Sequence, residues 1–141
     1  QREVLEVTAQ IPPGEVRPYN WVARELGSAG AVRAVGSALA RNPVPIVVPC
    51  HRVVKSDGSV GNYAFGPQMK EDLLTHEGMD QALLQPGTLR YVGSDTTGIF
   101  CFPTCRHARR ITSKHRVEFR TTDRAEADGY RACKICRPAV A

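Results

Sequence analysis

Residues 46–54 read I-V-V-P-C-H-R-V-V: an apolar run, a proline, a cysteine-histidine-arginine triplet and a second apolar run. Pro49 has no backbone donor and a fixed φ, so it interrupts a strand at that point. The flanking runs predict buried strands or extended core segments, with Cys50 on a rigid turn anchored in the core on both sides. Cys50 is the one cysteine of the five with no other cysteine near it. A thiol beside a histidine is a candidate nucleophile, because the thiolate is the reactive form and a neighbouring base or positive charge favours it. Most free cysteines are small buried hydrophobes, and the tetrapeptide P-C-H-R alone leans to that plainer reading.

Working outward toward the N-terminus, Val4, Leu5, Val7, Ala9 and Ile11 predict a helix end that Pro12-Pro13-Gly14 stops. After an extended crossing over 16–18, a short helix is expected from Tyr19 to Leu26, with Trp21, Val22 and Leu26 inward and Gly27 ending it. A tight turn over 28–30 leads to a second helix over 31–40, closed by Asn42-Pro43. Helix, short glycine-containing turn, helix is the helix-turn-helix outline. The second helix reads A-V-R-A-V-G-S-A-L-A, with Arg33 as its only charge. Its small side chains allow close backbone approach. That suits a grip on a DNA groove without base reading, with Arg33 as a wedge. A tightly packed core helix with Arg33 at its edge fits the composition equally well.

On the other side of Cys50, turns are expected at 55–58 and around Gly61-Asn62, just before Tyr63. A helix then runs from Pro67 to His76, with Met69, Leu73 and Leu74 inward and Gly78 past its end. Glu77 stands in the last turn, where the helix dipole disfavours a carboxylate. Either it fixes a histidine tautomer or it is a solvated surface charge.

The 141 residues suffice for one ordinary domain or two small ones, and the hydrophobic fraction of 42% suits a globular protein. No apolar run approaches the roughly 20 residues of a membrane span, and no signal peptide is visible. Charge is uneven. Residues 1–85 carry 8 Lys/Arg against 9 Asp/Glu, a net −1, and residues 86–141 carry 11 against 5, a net +6. A basic second half suits a polyanionic partner. Cys101 and Cys105 are separated by three residues, Cys133 and Cys136 by two, which is zinc-site spacing. The odd fifth cysteine and the lack of a visible signal argue against paired disulfides. A strand is expected at 89–92, a turn at 94–98, a strand at 117–119, and a short helix starting at Asp123, with Glu126, and ended by Asp128-Gly129. With so few apolar residues this half is marginal without a metal staple.

The pieces I-P-P-G-E-V at 11–16, Tyr19, R-A-V-G at 33–36, N-P at 42–43, P-C-H-R-V at 49–53, G-N-Y at 61–63 and H-E-G at 76–78 resemble the active-site domain of O6-alkylguanine-DNA alkyltransferases. Their order and spacing match with essentially no gaps. The resemblance implies that Cys50 accepts the alkyl group, His51 acts as base through a water, and Glu77 orients His51. It implies that Asn42 holds the turn carrying the cysteine and that Tyr19 helps rotate the target nucleotide out of the duplex. Arg33 would fill the vacated stack, and Tyr63 with the backbone near Val53 and Ala64 would contact the extruded guanine. Phe65 stands at the pocket rim, where some members have a small residue. The accessory N-terminal domain usual in the family is not seen before Gln1. The chemistry agrees with these residues. Displacement at an alkyl carbon needs a soft nucleophile and a protonated leaving oxygen, and a lesion inside a duplex must be flipped out.

T-T-G-I-F-C at 96–101, the x-P-x-C that ends at Cys105, and G-Y-R-x-C-K-x-C at 129–136 are similar to the zinc domain of Ada, over roughly residues 89–138. The resemblance implies one zinc ion on Cys101, Cys105, Cys133 and Cys136, with Cys101 as acceptor of a methyl group from DNA phosphotriesters. In Ada the zinc domain comes first; within these 141 residues the order is reversed, and no counterpart of Ada's own helix-turn-helix regulator segment is expected among them.

The expected fold is thus α+β, mostly α. A winged-helix-like helix-turn-helix alkyltransferase domain occupies residues 1–80, a linker 81–88, and a small zinc-bound α+β domain 89–141. The expected function is irreversible repair of O6-alkylguanine in double-stranded DNA, with O4-alkylthymine as a further candidate substrate. The protein is expected to be a monomer without membrane contact, cytoplasmic in a prokaryote or nuclear in a eukaryote. Two other readings stay open. One is a sensor of alkylated DNA with a structural zinc domain; the other is a zinc-stabilised DNA-binding protein whose Cys50 is structural.

Overall fold

Prolines and glycines set most element boundaries in this chain. The computed structural model describes residues 2–56, 59–61, 63, 65–79, 81–84 and 91–139. The chain divides into two units, Gln1–Pro86 and Gly87–Ala141.

In the first unit, helix α1 (Arg2–Thr8) ends before Pro12-Pro13 and packs on α2 (Tyr19–Glu25) and α3 (Val32–Ala40). Gly27, at φ +76°, closes α2 in the left-handed region that glycine enters without penalty. Trp21, Val22 and Ala23 of α2 and Val35, Ala38 and Leu39 of α3 are buried, so these side chains of the two helices fill the core. Strand β1 (Arg17–Pro18) pairs in parallel with β2 (Val53–Val54), in the register Arg17 to Val53. Among the described residues these are the only strands of the unit. Helix α4 (Pro67–His76) starts with proline in its first turn and packs against the 3-10 turn Cys50–Arg52. Leu74, Met79 and Leu84 close a cluster with Val54.

In the second unit, four strands lie in the order β5-β3-β4-β6: β3 is Tyr91–Ser94, β4 Ile99–Cys101, β5 Arg116–Phe119 and β6 Arg131–Ala132. β4 and β6 are parallel and the other pairs antiparallel. The short helices are α5 (Arg106–Arg109) and α6 (Thr122–Ala127). The buried apolar cluster is small: Phe100, Phe119 and Ala125, flanked by Tyr91 and Tyr130 among others. Gly93 lets Tyr130 lie on the sheet, since a Cβ there would stand 2.9 Å from the Tyr130 ring. No helix among the described residues is long and apolar enough to cross a membrane.

Several expectations are corrected. The run before Pro49 is not buried: Ile46 is 63% and Val47 76% exposed, whereas Val53 and Val54 are buried as expected. The segment folds back on itself instead. The Val48 amide donates to the Val44 carbonyl at 3.0 Å, and Asn42 accepts from the Val44 amide at 3.0 Å while donating to the Val48 carbonyl at 2.9 Å. Cys50 is therefore anchored on one side by β2 and on the other by a self-contained loop. Met69 is 48% exposed and Lys70, not assigned inward from the sequence, is 0% exposed, because α4 is rotated so that Lys70 and Leu74 share the inner face. The cap of α6 is Thr121, whose hydroxyl accepts from the Arg124 amide at 3.1 Å, and not Asp123. The strand expected at 89–92 is described from Tyr91 and continues to Ser94. Asp57 and Gly58 of the expected turn, Asn62 before Tyr63, and residues 85–88 of the expected linker lie outside the described residues.

Candidate active site and metal centre

The turn carrying Cys50 is built by the backbone. The Cys50 amide donates to the Val48 carbonyl at 2.8 Å, and the Arg52 amide to the Pro49 carbonyl at 2.9 Å. Pro49 cannot join a ladder, so the chain leaves the Val44–Val48 loop and winds one 3-10 turn before β2 begins. Cys50 and His51 are buried. Cys50 opens onto a cavity of about 700 Å3, walled by Tyr19, Arg33, Gly36, Ser37 and Tyr63 among others. Small residues of α3 form much of that wall, so the cavity borders the helix backbone closely.

Glu77, the C-cap of α4, is hydrogen-bonded through Oε1 to His51 Nε2. It also accepts from Arg52 Nε at 2.9 Å and from the Gly14 amide at 3.3 Å. The hydrogen bonds from Arg52 and His51 outweigh the opposing effect of burial and hold the Glu77 carboxyl below the usual carboxylate range. Burial pushes His51 below the ordinary histidine value, against the pull of Glu77. His51 is therefore a neutral imidazole at neutral pH, with Nε2 committed to Glu77. Its Nδ1 is buried and meets no protein group among the described residues.

Tyr63 lines the cavity with Cys50, and burial, then the neighbouring Cys50, raises its phenol above the ordinary value. Burial, then Cys50, also raises Tyr19. Both phenols thus keep their protons at neutral pH. Arg33 is exposed on α3 at the cavity wall. Val53 is fully buried in β2. Phe65, 61% exposed, sets its ring against the edge of Tyr63 at 5.6 Å and is not among the described lining residues. Ala64 lies outside the described residues.

Two participants escaped the sequence reading. Arg52 holds Glu77 and also donates to the Ile11 carbonyl at 2.7 Å, tying the end of the first loop to the site. Lys70 lies under Tyr19, with Nζ 3.4 Å from the phenol oxygen. Its spacing of four from Leu74 puts it on the inner helical face, a signal masked by its charge. A buried ion pair, Arg17 to Glu15 at 2.7 Å with Arg17 over Trp21, was missed as well.

In the second unit Cys101 ends β4, Cys105 precedes α5, and Cys133 and Cys136 follow β6. All four are buried, and their sulfurs lie within 4.8 Å of one another. A tetrahedral zinc with Zn–S bonds near 2.3 Å separates its sulfurs by about 3.8 Å, so four thiolates so gathered fit that ion. The Phe102 amide donates to the Cys136 sulfur and the Ile135 amide to the Cys133 sulfur, each at 3.4 Å. Such bonds are usual around thiolate ligands. A second cavity, of about 500 Å3, opens on Cys101 and Cys133 and is walled by His107, Arg110, Arg131 and Lys134 among others.

Comparison with known proteins finds relatives for both units. Residues 88–139 match the metal binding domain of Ada. The chain is 53% identical over 78 residues to a methylated-DNA–protein-cysteine methyltransferase of Salmonella typhimurium, a match covering 55% of this chain and 46% of the relative. It is 57% identical over 78 residues to the human protein of the same name, covering 55% of this chain and 38% of that one. The chain thus spans less than half the length of these relatives. Among solved structures, Mycobacterium tuberculosis OGT in complex with DNA matches with a TM-score of 0.54 and 42% identity, covering 55% of this chain and 47% of that one. Schizosaccharomyces pombe Atl1, in complex with damaged DNA containing O6-carboxymethylguanine, matches with a TM-score of 0.51 and 32% identity, covering 56% and 75%. Residues 1–79, more than half of the chain and all of the Cys50 site, match the 6-O-methylguanine DNA methyltransferase DNA binding domain, and the chain belongs to that family.

Proposed function

We propose that this protein repairs double-stranded DNA by moving the alkyl group of O6-alkylguanine onto Cys50, once per molecule. The observation that carries the reading is the convergence on one cavity of a buried cysteine, a protonated phenol and, behind the cysteine, a neutral histidine held by a carboxylate. The cavity's size is that of a small-molecule site and suits an extruded base.

In the proposed step the Cys50 thiol gives its proton to His51 through a water that meets Nδ1. The imidazolium formed is stabilised by Glu77. The thiolate attacks the alkyl carbon. The S–C bond forms, the C–O6 bond breaks with its electron pair going to the purine, and Tyr63 donates a proton to the leaving base. The thioether has no route back to a thiol, so turnover stops. Tyr19, at the start of α2, rotates the nucleotide outward. Arg33, the long cation on a small-residue helix, fills the gap in the stack. Asn42 braces the loop behind the nucleophile, and the backbone near Val53 and Ala64 contacts the guanine. The relatives' names, and the DNA in two of the matched structures, support this choice of substrate and partner.

One zinc ion, held by Cys101, Cys105, Cys133 and Cys136, staples the second unit and keeps its sulfurs as thiolates. The basic cavity over Cys101 favours a second acceptor reaction, in which the Cys101 sulfur takes a methyl group from a phosphotriester and leaves an anionic phosphodiester. A Cys50→Ser variant treated with methylphosphotriester DNA should carry methyl on Cys101; none, with DNA bound, makes the site an inert staple.

The main reading is tested by intact mass after mixing the protein with duplex DNA containing O6-methylguanine. One methyl mass on Cys50, absent from Cys50→Ser, is expected. No gain, or a gain unaffected by that substitution, overturns it.

A further inference from the structure

We infer that Lys55 is a specificity-determining residue of the Cys50 cavity: its positive charge at the cavity wall makes the site accept alkyl groups that carry a carboxylate, carboxymethyl being the smallest. The inference rests on Cys50 being the alkyl acceptor and names a class of alkyl group for it.

The register of the first sheet places the side chain. β1 and β2 pair Arg17 with Val53 and Pro18 with Val54, and the next residues of the two segments are Tyr19 and Lys55. Both line the cavity onto which Cys50 opens. The Lys55 amide donates to the Ser59 carbonyl at 2.9 Å, which closes the turn after β2 and fixes the backbone from which the side chain leaves. Gly61, just past that turn, leaves room for the stem. A Cβ there would stand 3.3 Å from Lys55 Cγ and 3.6 Å from the Tyr19 hydroxyl, so the lysine stem and the phenol flank one point of the wall. Lys55 is exposed, and no burial cost attaches to its ammonium.

Charge is one-sided at this cavity. Among the described residues that line it, Arg33 and Lys55 carry charge and none is acidic. Neither makes an ion pair among the described residues. Glu77 lies behind His51 and is taken up by His51 and Arg52. Two open cations with no acid between them favour an anion inside. Arg33 has its task in the DNA stack, and a neutral alkyl group gives Lys55 no partner. A carboxylate on the carbon under attack does. The Cys50 thiolate and a carboxymethyl group are both anionic and repel as they approach, and a cation in the same cavity offsets that repulsion. The covalent step is the one proposed for methyl. The S–C bond forms, the C–O6 bond breaks with its electron pair going to the purine, and the carboxylate keeps its charge and ends on the thioether.

The size of the effect follows from exposure. A solvated charge pair changes a rate by a few-fold and not by orders of magnitude, and salt weakens it. Arg33 and the buried Lys70 are common to the parent and to every Lys55 variant, so a difference between those proteins reads Lys55.

The test uses the full zinc-loaded chain and two small electrophiles of nearly equal shape, anionic iodoacetate and neutral iodoacetamide, with modification of Cys50 read by peptide mass. Lys55→Met should lower the ratio of the iodoacetate rate to the iodoacetamide rate about threefold, and Lys55→Glu about tenfold, the effects expected of one exposed charge removed and reversed. Lys55→Arg should keep the ratio near that of the parent, and salt at about 1 M should close most of the gap. A ratio unchanged by Lys55→Glu, or both rates slowed by one common factor, overturns the inference. Duplex DNA then reads the substrate: selectivity for O6-carboxymethylguanine over O6-methylguanine should fall about threefold in Lys55→Met. A lysine that merely grips a DNA phosphate slows both lesions alike, and that result also overturns the inference. A protein that takes neither group from DNA yet shows the iodoacetate dependence breaks the transfer reading and leaves the charge preference of the cavity standing. One that takes methyl from DNA with a ratio indifferent to Lys55 does the reverse.

Discussion

Cys50 sits in a unit whose interior is filled by side chains other than its own, whereas Cys101, Cys105, Cys133 and Cys136 make up much of the interior they occupy. The first unit buries Val4, Ile11, Trp21, Val22, Val35, Leu39, Val53, Val54 and Leu74. It stands on apolar packing and sets one thiol, Cys50, at a cavity shared with Tyr19 and Tyr63, next to the hydrogen-bonded His51 and Glu77. The second unit buries fewer, Val92, Phe100, Phe102, Ala108, Phe119 and Ala125, and gathers its four sulfurs within 4.8 Å of one another. There the proposed zinc ion would both tune the thiols and hold the fold. A cysteine can thus be kept reactive by a hydrogen-bonded network on a self-sufficient scaffold, or by a metal that is itself the scaffold. The first arrangement separates stability from reactivity, and the second ties them together.

Chelation is the severest way to break this comparison. Structural zinc in small domains is worth about 10 kcal/mol or more. Removing it should unfold residues 91–139 while the first unit keeps its helices, which two-dimensional NMR would show as loss of dispersion confined to the second unit. Loss of both sets of signals would mean that the first unit is not self-sufficient.

Next comes Glu77→Gln, which strikes the network while sparing the scaffold. Methyl transfer should slow about 100-fold, with DNA binding retained. Glu77 raises the affinity of His51 for a proton, and protonated His51 cannot act as base. The acid limb of the rate profile should therefore move to lower pH in the variant even as its plateau falls. An acid limb shifted upward would show that His51 is not the titrating base.

Gly93→Ala sharpens the second half of the comparison. The new Cβ would meet Tyr130 at 2.9 Å and Phe119 at 3.1 Å, within a core too small to redistribute the strain. A loss of about 1–3 kcal/mol in the second unit is expected, read by denaturant titration of the zinc-loaded protein, with alkyl transfer at Cys50 unchanged.

The smallest effect is expected from Phe65→Gly. Phe65 reaches the cavity through one edge-to-face contact with Tyr63, so removing it should speed labelling by a bulky benzylguanine only about threefold. A rise of a hundredfold would place Phe65 directly in the path of the ligand.

Much of the architecture was legible because it is written locally. Pro12-Pro13, Gly27, Pro67 and Gly78 bound helices whatever lies beside them. The spacings of the two cysteine pairs foretell a four-sulfur cluster, since each pair places two sulfurs on one short segment. The carboxylate of Glu77 at a helix end left two readings open, and only the family resemblance pointed to its link with His51. The exposed loop at 46–48 was not legible, because an apolar run looks alike in a core and in a loop closed by Asn42. The cap of α6 was misplaced by two residues because Thr121 and Asp123 are both good caps, and the folded chain sets the Thr121 hydroxyl against the Arg124 amide.

What the sequence determined by itself is the chemistry available: a lone thiol beside an imidazole, four thiols in two close pairs, and a helix of small residues with one arginine. Tertiary structure alone decided which side chains of α4 are buried. Lys70 and Met69 are neighbours in the sequence, and side-chain polarity predicts that the methionine goes in and the lysine out. The packing of α4 against Tyr19 and the Cys50 turn reverses them, burying the ammonium and exposing the thioether. The free energy of a buried charge depends on partners distant in the chain, and these meet only when the fold is complete.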